Sequence, residues 1–173
     1  GIPGLFGGII LSIGFASYVF AMYETTVANA NFIIQTQALF LAIFGYVFLK
    51  EKISKLTLTC IITAVVGIIL MLGSSLTVGQ MTGNLVAFIM PISFAILILI
   101  VRKYPKVDMI PLQLVAGIFA TLIGLFMSPS IIVSSNDIFL GFVAGFFQVG
   151  LGFILITIGA RSTPSAIVVS SIQ

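Results

Sequence analysis

From Thr25 to Leu49 the chain carries no charged side chain, and the run stops on Lys50-Glu51-Lys52. A helix rises about 1.5 Å per residue, so this stretch can cross the hydrocarbon of a bilayer and leave its terminal charges in water. Within it Asn31, Gln35, Ala38, Ala42 and Gly45 recur at steps of three and four, one narrow helical stripe of amides and small residues. Amides are costly against lipid, so the stripe is expected to face other helices or a wet cavity. The whole chain repeats this character: 60% of its 173 residues are hydrophobic and 6% are charged, against roughly 25% charged in an ordinary soluble domain. At a mean hydropathy of +1.33, an integral membrane protein is the expected class.

Six apolar spans are expected, at about 4–23, 27–49, 56–73, 83–102, 109–128 and 137–159, and residues 163–173 read as the start of a seventh. The fold class is therefore all-α, a polytopic helical bundle. Thr26 and Ser54 are placed to cap the second and third spans. If every span crosses, loops 50–55, 102–108 and 160–163 share a side with Gly1 and hold all seven basic residues. With Glu51 and Asp108 that side carries 7 − 2 = +5, while the other holds only Glu24 and Asp137, −2. By the positive-inside rule the basic side is cytoplasmic and the protein is multi-pass in the inner membrane.

An offset of 136 residues lays Gly14 on Gly150, Ala16 on Gly152, Thr26 on Ser162 and Ala30 on Ala166. Five crossings separate equivalent spans, an odd number, so the two copies would be inverted relative to one another, as in many secondary transporters. Gly1 in place of Met, and Gln173 inside an apolar run, lead to the expectation of an internal piece of a longer chain.

Polar residues inside the spans carry the functional argument. Asn31 and Gln35 sit one turn apart, Asn29 and Thr36 share a second face, and Gln37 lies on a third. A helix polar on several sides there is surrounded by protein or water. Tyr18 could reach the same space, and Gln148 stands between Gly145 and Gly152 in the last full span. The competing reading is helix packing, which serves equally for the small-residue rows Gly4-Gly8-Ser12-Ala16, Gln113-Gly117-Ala120-Gly124-Ser128 and Gly141-Gly145-Gly152-Gly159. Pro91 with Ser93 is expected to kink the fourth span. Glu51 reads as a solvated helix-end charge.

Several classes fall away. The sequence has no histidine and one cysteine, Cys60, so no Ser-His dyad, metal site or disulfide framework is expected, and no phosphate-binding G-x-x-x-x-G-K-[ST] loop is present. No catalytic residue, cofactor or metal is assigned, and an enzyme is not expected. The +3 formal charge sits at span ends and implies no nucleic-acid partner.

The run T-x-A-N-A-x-F-I-I (Thr26–Ile34), the exit F-L-K-E-K-I-S (Phe48–Ser54) and the G-I-I-L-M-L-G run (Gly67–Gly73) resemble the EamA-like repeat of the drug/metabolite transporter superfamily. The resemblance implies two inverted five-helix repeats, with residues 1–75 in the C-terminal part of the first and 83–173 in the N-terminal part of the second. The family often carries a proline where this chain has Ala38, which puts a helix break there in question. It implies a central cavity lined, by position, by Tyr18, Asn31, Gln35, Gln148 and Ser171, and the export of small organic metabolites by alternating access. A cavity with amides and no fixed charge points to neutral or zwitterionic, amino-acid-like solutes. The expected partners are such a solute and the lipid bilayer, with a homodimer as an option. The rival function is a non-transporting membrane scaffold or accessory subunit whose polar stripes only pack helices.

Overall fold

A computed structural model describes residues 1–74, 78–128 and 133–162. The described residues are helical, without a strand: α1 (Ile2–Glu24), α2 (Val27–Ile34), α3 (Gln37–Leu49), α4 (Lys55–Ser74), α5 (Val78–Ala87), α6 (Ile89–Lys103), α7 (Leu112–Met127), α8 (Ser135–Val143), a π-helical segment Ala144–Leu151, and α9 (Gly152–Ser162). An apolar helix stands at each of the six expected positions. Four, at Ile2–Glu24, Val27–Leu49, Met81–Lys103 and Ser135–Ala160, are long and apolar enough to cross a membrane by themselves, and Lys55–Leu70 and Leu112–Met127 are shorter apolar helices. This is a multi-pass helical membrane protein. The expected seventh span, with Ser171, lies outside the described residues.

The caps follow the sequence. The Thr26 hydroxyl accepts the Asn29 amide at 3.2 Å, and the Ser54 hydroxyl accepts that of Thr57 at 3.1 Å. Each satisfies one orphan donor of a helix N-terminus.

Helix α1 is the central post. Its buried face runs Gly4, Gly7, Gly8, Leu11, Ser12, Gly14, Ser17, Ala21, one helical stripe against α5, α6 and α7. A Cβ at Gly7 would meet Leu112 Cδ1 at 2.6 Å, and one at Gly14 would meet Ser93 Cβ at 2.9 Å. The small residues of the first span are there to let helices approach. The main core gathers Leu11, Leu41, Phe94, Leu97, Ile98 and Leu112 from α1, α3, α6 and α7, with Met109 from the turn before α7. By contrast a Cβ at Gly117, Gly124, Gly141, Gly145, Gly152 or Gly159 would meet nothing within 4 Å. These glycines do not pack helices among the described residues.

Spans Val27–Leu49 and Met81–Lys103 run parallel. At one end the Thr25 hydroxyl donates to Asn84 Oδ1 at 2.6 Å; at the other Glu51 pairs with Arg102. Both spans are interrupted, and the two breaks come level where Ile33 packs against Ala87 and Phe88. In the first, the Thr36 hydroxyl and amide both bond the Ile33 carbonyl, at 2.6 and 3.0 Å. This tightens the helix into a three-residue turn. The break thus stands beside Ala38 and needs no proline. In the second, Phe88 turns with its amide on the Leu85 carbonyl at 3.3 Å, and Pro91 offers the Ala87 carbonyl no N–H. The interruption expected around Pro91 is present.

Candidate functional site

The two breaks open onto one cavity of about 550 Å³. Ile34, Gln35 and Gln37 line it from the first break, Met90 and Phe94 from just past the second, and Gly152, Phe153, Leu155 and Ile156 from the first turns of α9. Gly152 is where the π-helical segment returns to α-helix. Three irregularities of helical backbone therefore meet at one hollow. Its wall is aromatic, with Phe153 edge-on to Phe94 at 6.0 Å and to Phe15 at 5.2 Å between centroids. Its polar side chains are Gln35 and Gln37, and no charged side chain lines it.

Gln35 also lines a second hollow of about 320 Å³, where Thr36, Ala38, Leu39 and Ala42 face Leu56, Thr57, Cys60, Ile61 and Ala64 of α4. The amide and small-residue stripe of the second span thus looks onto open space, with Ala42 and Gly45 buried farther along. One turn before Gln35, the exposed Asn31 accepts the Tyr18 hydroxyl through Oδ1 at 3.1 Å. A third hollow, about 300 Å³ between α1 and α7, is walled by Phe15, Val19, Phe20, Ile123 and Met127 and has no amide.

Two polar ties frame the large cavity. Gln113 of α7 donates through Nε2 to the Thr157 hydroxyl at 3.1 Å, and Thr157 donates to the Phe153 carbonyl at 2.7 Å, fixing the turn of α9 that holds Phe153. Toward the Glu24 end, Asn29 Nδ2 donates to Thr25 Oγ1 at 3.4 Å, extending the Thr25–Asn84 contact. The Asn84 side chain is fully buried. The described residues hold no group of three His, Cys, Asp or Glu side chains able to bind a metal ion.

Residues 2–73 match the EamA-like transporter family. The match takes in α1 to α4 and the motifs from Thr26 to Gly73, so this part of the chain is similar to that family. Members of that family are transporters, not enzymes. No curated protein and no solved structure matches the chain.

Within this EamA-like segment the structure joins Tyr18 to Asn31 and sets Gln35 on the cavity wall. Gln148 stands apart, exposed on the π-helical segment and lining none of these hollows. Gln37 is the residue that sequence reasoning left out. Uniform helical phase puts it on a different face from Gln35, but the Thr36 turn resets that phase, and Gln37 ends up buried at the cavity wall. The signal was the Gln35-Thr36-Gln37 run itself, a hydroxyl able to claim a backbone carbonyl between two amides. Glu51 also differs from its reading as a solvated charge. Lys50 takes a left-handed C-cap, φ 56°, and the Glu51 amide folds back on the Gly45 carbonyl at 3.1 Å. The carboxylate then meets Arg102, with side chains only 14% and 12% exposed.

Proposed function

We propose that the chain is a secondary transporter of small neutral or zwitterionic organic solutes, amino-acid-like in size, working by alternating access across the inner membrane. One observation carries this: an uncharged cavity of about 550 Å³, walled by Gln35 and Gln37, sits where three helix interruptions meet. That volume lies within the range of about 300–1,000 Å³ typical of small-molecule sites. Broken helices free backbone donors and acceptors inside the membrane, and such irregular backbone is tolerated where it lines a protein cavity. A carboxylate or ammonium group of a zwitterion would meet amides and backbone dipoles there, with no fixed charge to bind either too tightly to leave.

On this reading Gln35 and Gln37 contact the solute and the Tyr18–Asn31 pair orders the neighbouring wall. Gln148 and Ser171 join through the second repeat. The repeats at 1–75 and 83–173 are inverted, and loops 50–55, 102–108 and 160–163 face the cytoplasm. The protein works alone or as a homodimer. Metabolite profiling of cells with and without the chain finds the solute. With Gln35→Leu and Gln37→Leu together, flux of that solute should fall by about tenfold or more, since each change leaves a solute polar group unpaired. Unchanged flux in a normally inserted double variant removes the two amides from the site.

The Tyr18–Asn31 hydrogen bond favours a second reading, a scaffold or accessory subunit whose polar groups only join helices. A scan with single cysteines from 31 to 42, in a Cys60→Ser background, separates the two. A transport pathway makes positions 35 and 38 reactive to a water-soluble maleimide, and a scaffold leaves them silent.

A further inference from the structure

The parallel spans Val27–Leu49 and Met81–Lys103 are fastened at both ends and hinged between. At the Glu24 end the fastening is neutral: Thr25 and Asn29 with the fully buried Asn84, tightened by Gly83, where a Cβ would lie 2.6 Å from the Glu24 carbonyl carbon. At the basic end it is ionic, Glu51 with Arg102, both side chains largely withdrawn from solvent. Between the two lie the breaks at Gln35–Thr36 and Phe88, at similar depth and in touch through the Phe40 and Phe88 rings, 6.5 Å between centroids. The large cavity opens from that level.

We propose that these fastenings are the two gates of the transport pathway, both closed in this structure, and that the two breaks are the hinges on which each end opens without the other. A continuous helix would carry motion from one end to the other. A span interrupted by a tight turn lets its outer half, α2 or α5, swing while α3 and α6 stay paired, and lets the ends of α3 and α6 part while α2 and α5 stay joined. The gates differ in chemistry. The outer one exchanges its amide and hydroxyl bonds for water, whereas the inner one separates a partly desolvated ion pair. The inference rests on the transporter reading of the cavity.

Distances between paired spin labels on the full chain in liposomes, in a Cys60→Ser background, test it without a known solute. Labels at Val27 and Leu85 report the outer end, those at Val47 and Lys103 the inner end, and those at Val47 and Ile158 the span facing α9; Val27, Leu85, Val47 and Ile158 are all exposed. Two distance populations are expected at each end. Asn84→Ala should raise the open fraction at the outer end by about threefold or more, the scale of one lost hydrogen bond, and leave the inner end unchanged. Arg102→Gln should do the reverse. The unsubstituted labelled chain already decides the matter if either variant fails to fold. A single fixed distance at either end overturns the proposal. If both ends are fixed while Val47 to Ile158 shows two populations, the gates lie elsewhere and the transporter reading stands. If all three pairs are fixed, both fall.

Discussion

Gly8 shows how little room single residues have where α1 meets α7. An added Cβ would lie 2.7 Å from both Val115 Cβ and Cγ1 and 3.0 Å from the Leu112 carbonyl oxygen. Neither a β-branched side chain fixed on its helix nor a backbone oxygen can turn aside. Gly8→Ala must therefore push the helices apart, and we expect a loss of about 1–3 kcal/mol, the usual cost of overpacking. Gly117→Ala on α7 is the matched control. Nothing lies within 4 Å of its added Cβ, so the substitution should cost nothing and gain up to about 1 kcal/mol from the helix preference of Ala over Gly. Thermal unfolding midpoints of the two variants in detergent compare them directly, and equal midpoints would refute the packing role given to the α1 stripe. The two glycines look alike in sequence, each in a row of small residues at helical spacing. Only the neighbour that fills the space tells them apart.

At the scale of elements, the pairing of the second and fourth spans holds the molecule's least expected chemistry. Arg102→Glu alone would set two carboxylates against each other in a largely desolvated place, where breaking a buried pair typically costs about 3–5 kcal/mol. The partial exposure of this one favours the lower figure. The double exchange, Glu51→Arg with Arg102→Glu, restores opposite charges and leaves the charge of that membrane face unchanged, so orientation is not disturbed. We expect it to recover most of the lost stability, measured as a double-mutant cycle; no recovery would mean that the contact contributes little. The spans themselves were legible from hydropathy and from caps such as Thr26 and Ser54, because membrane length and orphan amides impose strict local demands. The break at Thr36 was not, because a hydroxyl bonding the carbonyl three residues back looks like any other threonine until the helix tightens around it. Through that break Gln37, placed on another face by uniform periodicity, reached the cavity. The contact of Thr25 with Asn84, 59 residues away in sequence, left no local trace at all.

At the scale of the whole molecule, the internal contacts bear on which ends lie together. A Cβ at Gly4 of α1 would meet Met109 Sδ at 3.8 Å, and Glu51 meets Arg102, so the start of α1, the end of α3, the end of α6 and the approach to α7 share one end. Gly83 abuts Glu24 and Thr25, and Tyr23 shares a hollow with Met127 and Ser128, which gathers the other ends oppositely. For the basic ends of spans two and four to meet, α4 must return the chain across the membrane between them, although its apolar part, Lys55–Leu70, is short. Basic loops resist translocation, so the end holding Lys50, Lys52, Arg102, Lys103 and Lys106 is the one expected to stay in the cytoplasm. Single cysteines at Lys52, Lys106, Tyr23 and Asn136 in a Cys60→Ser chain test this with a membrane-impermeant maleimide. In intact cells the last two should react and the first two should not, and in inverted vesicles the pattern should reverse. Reaction of Lys52→Cys and Lys106→Cys from opposite sides would mean that α4 does not cross. Spans two and four would then be antiparallel, the Glu51–Arg102 contact could not form, and the cavity between the two breaks would lose the helix pair that frames it.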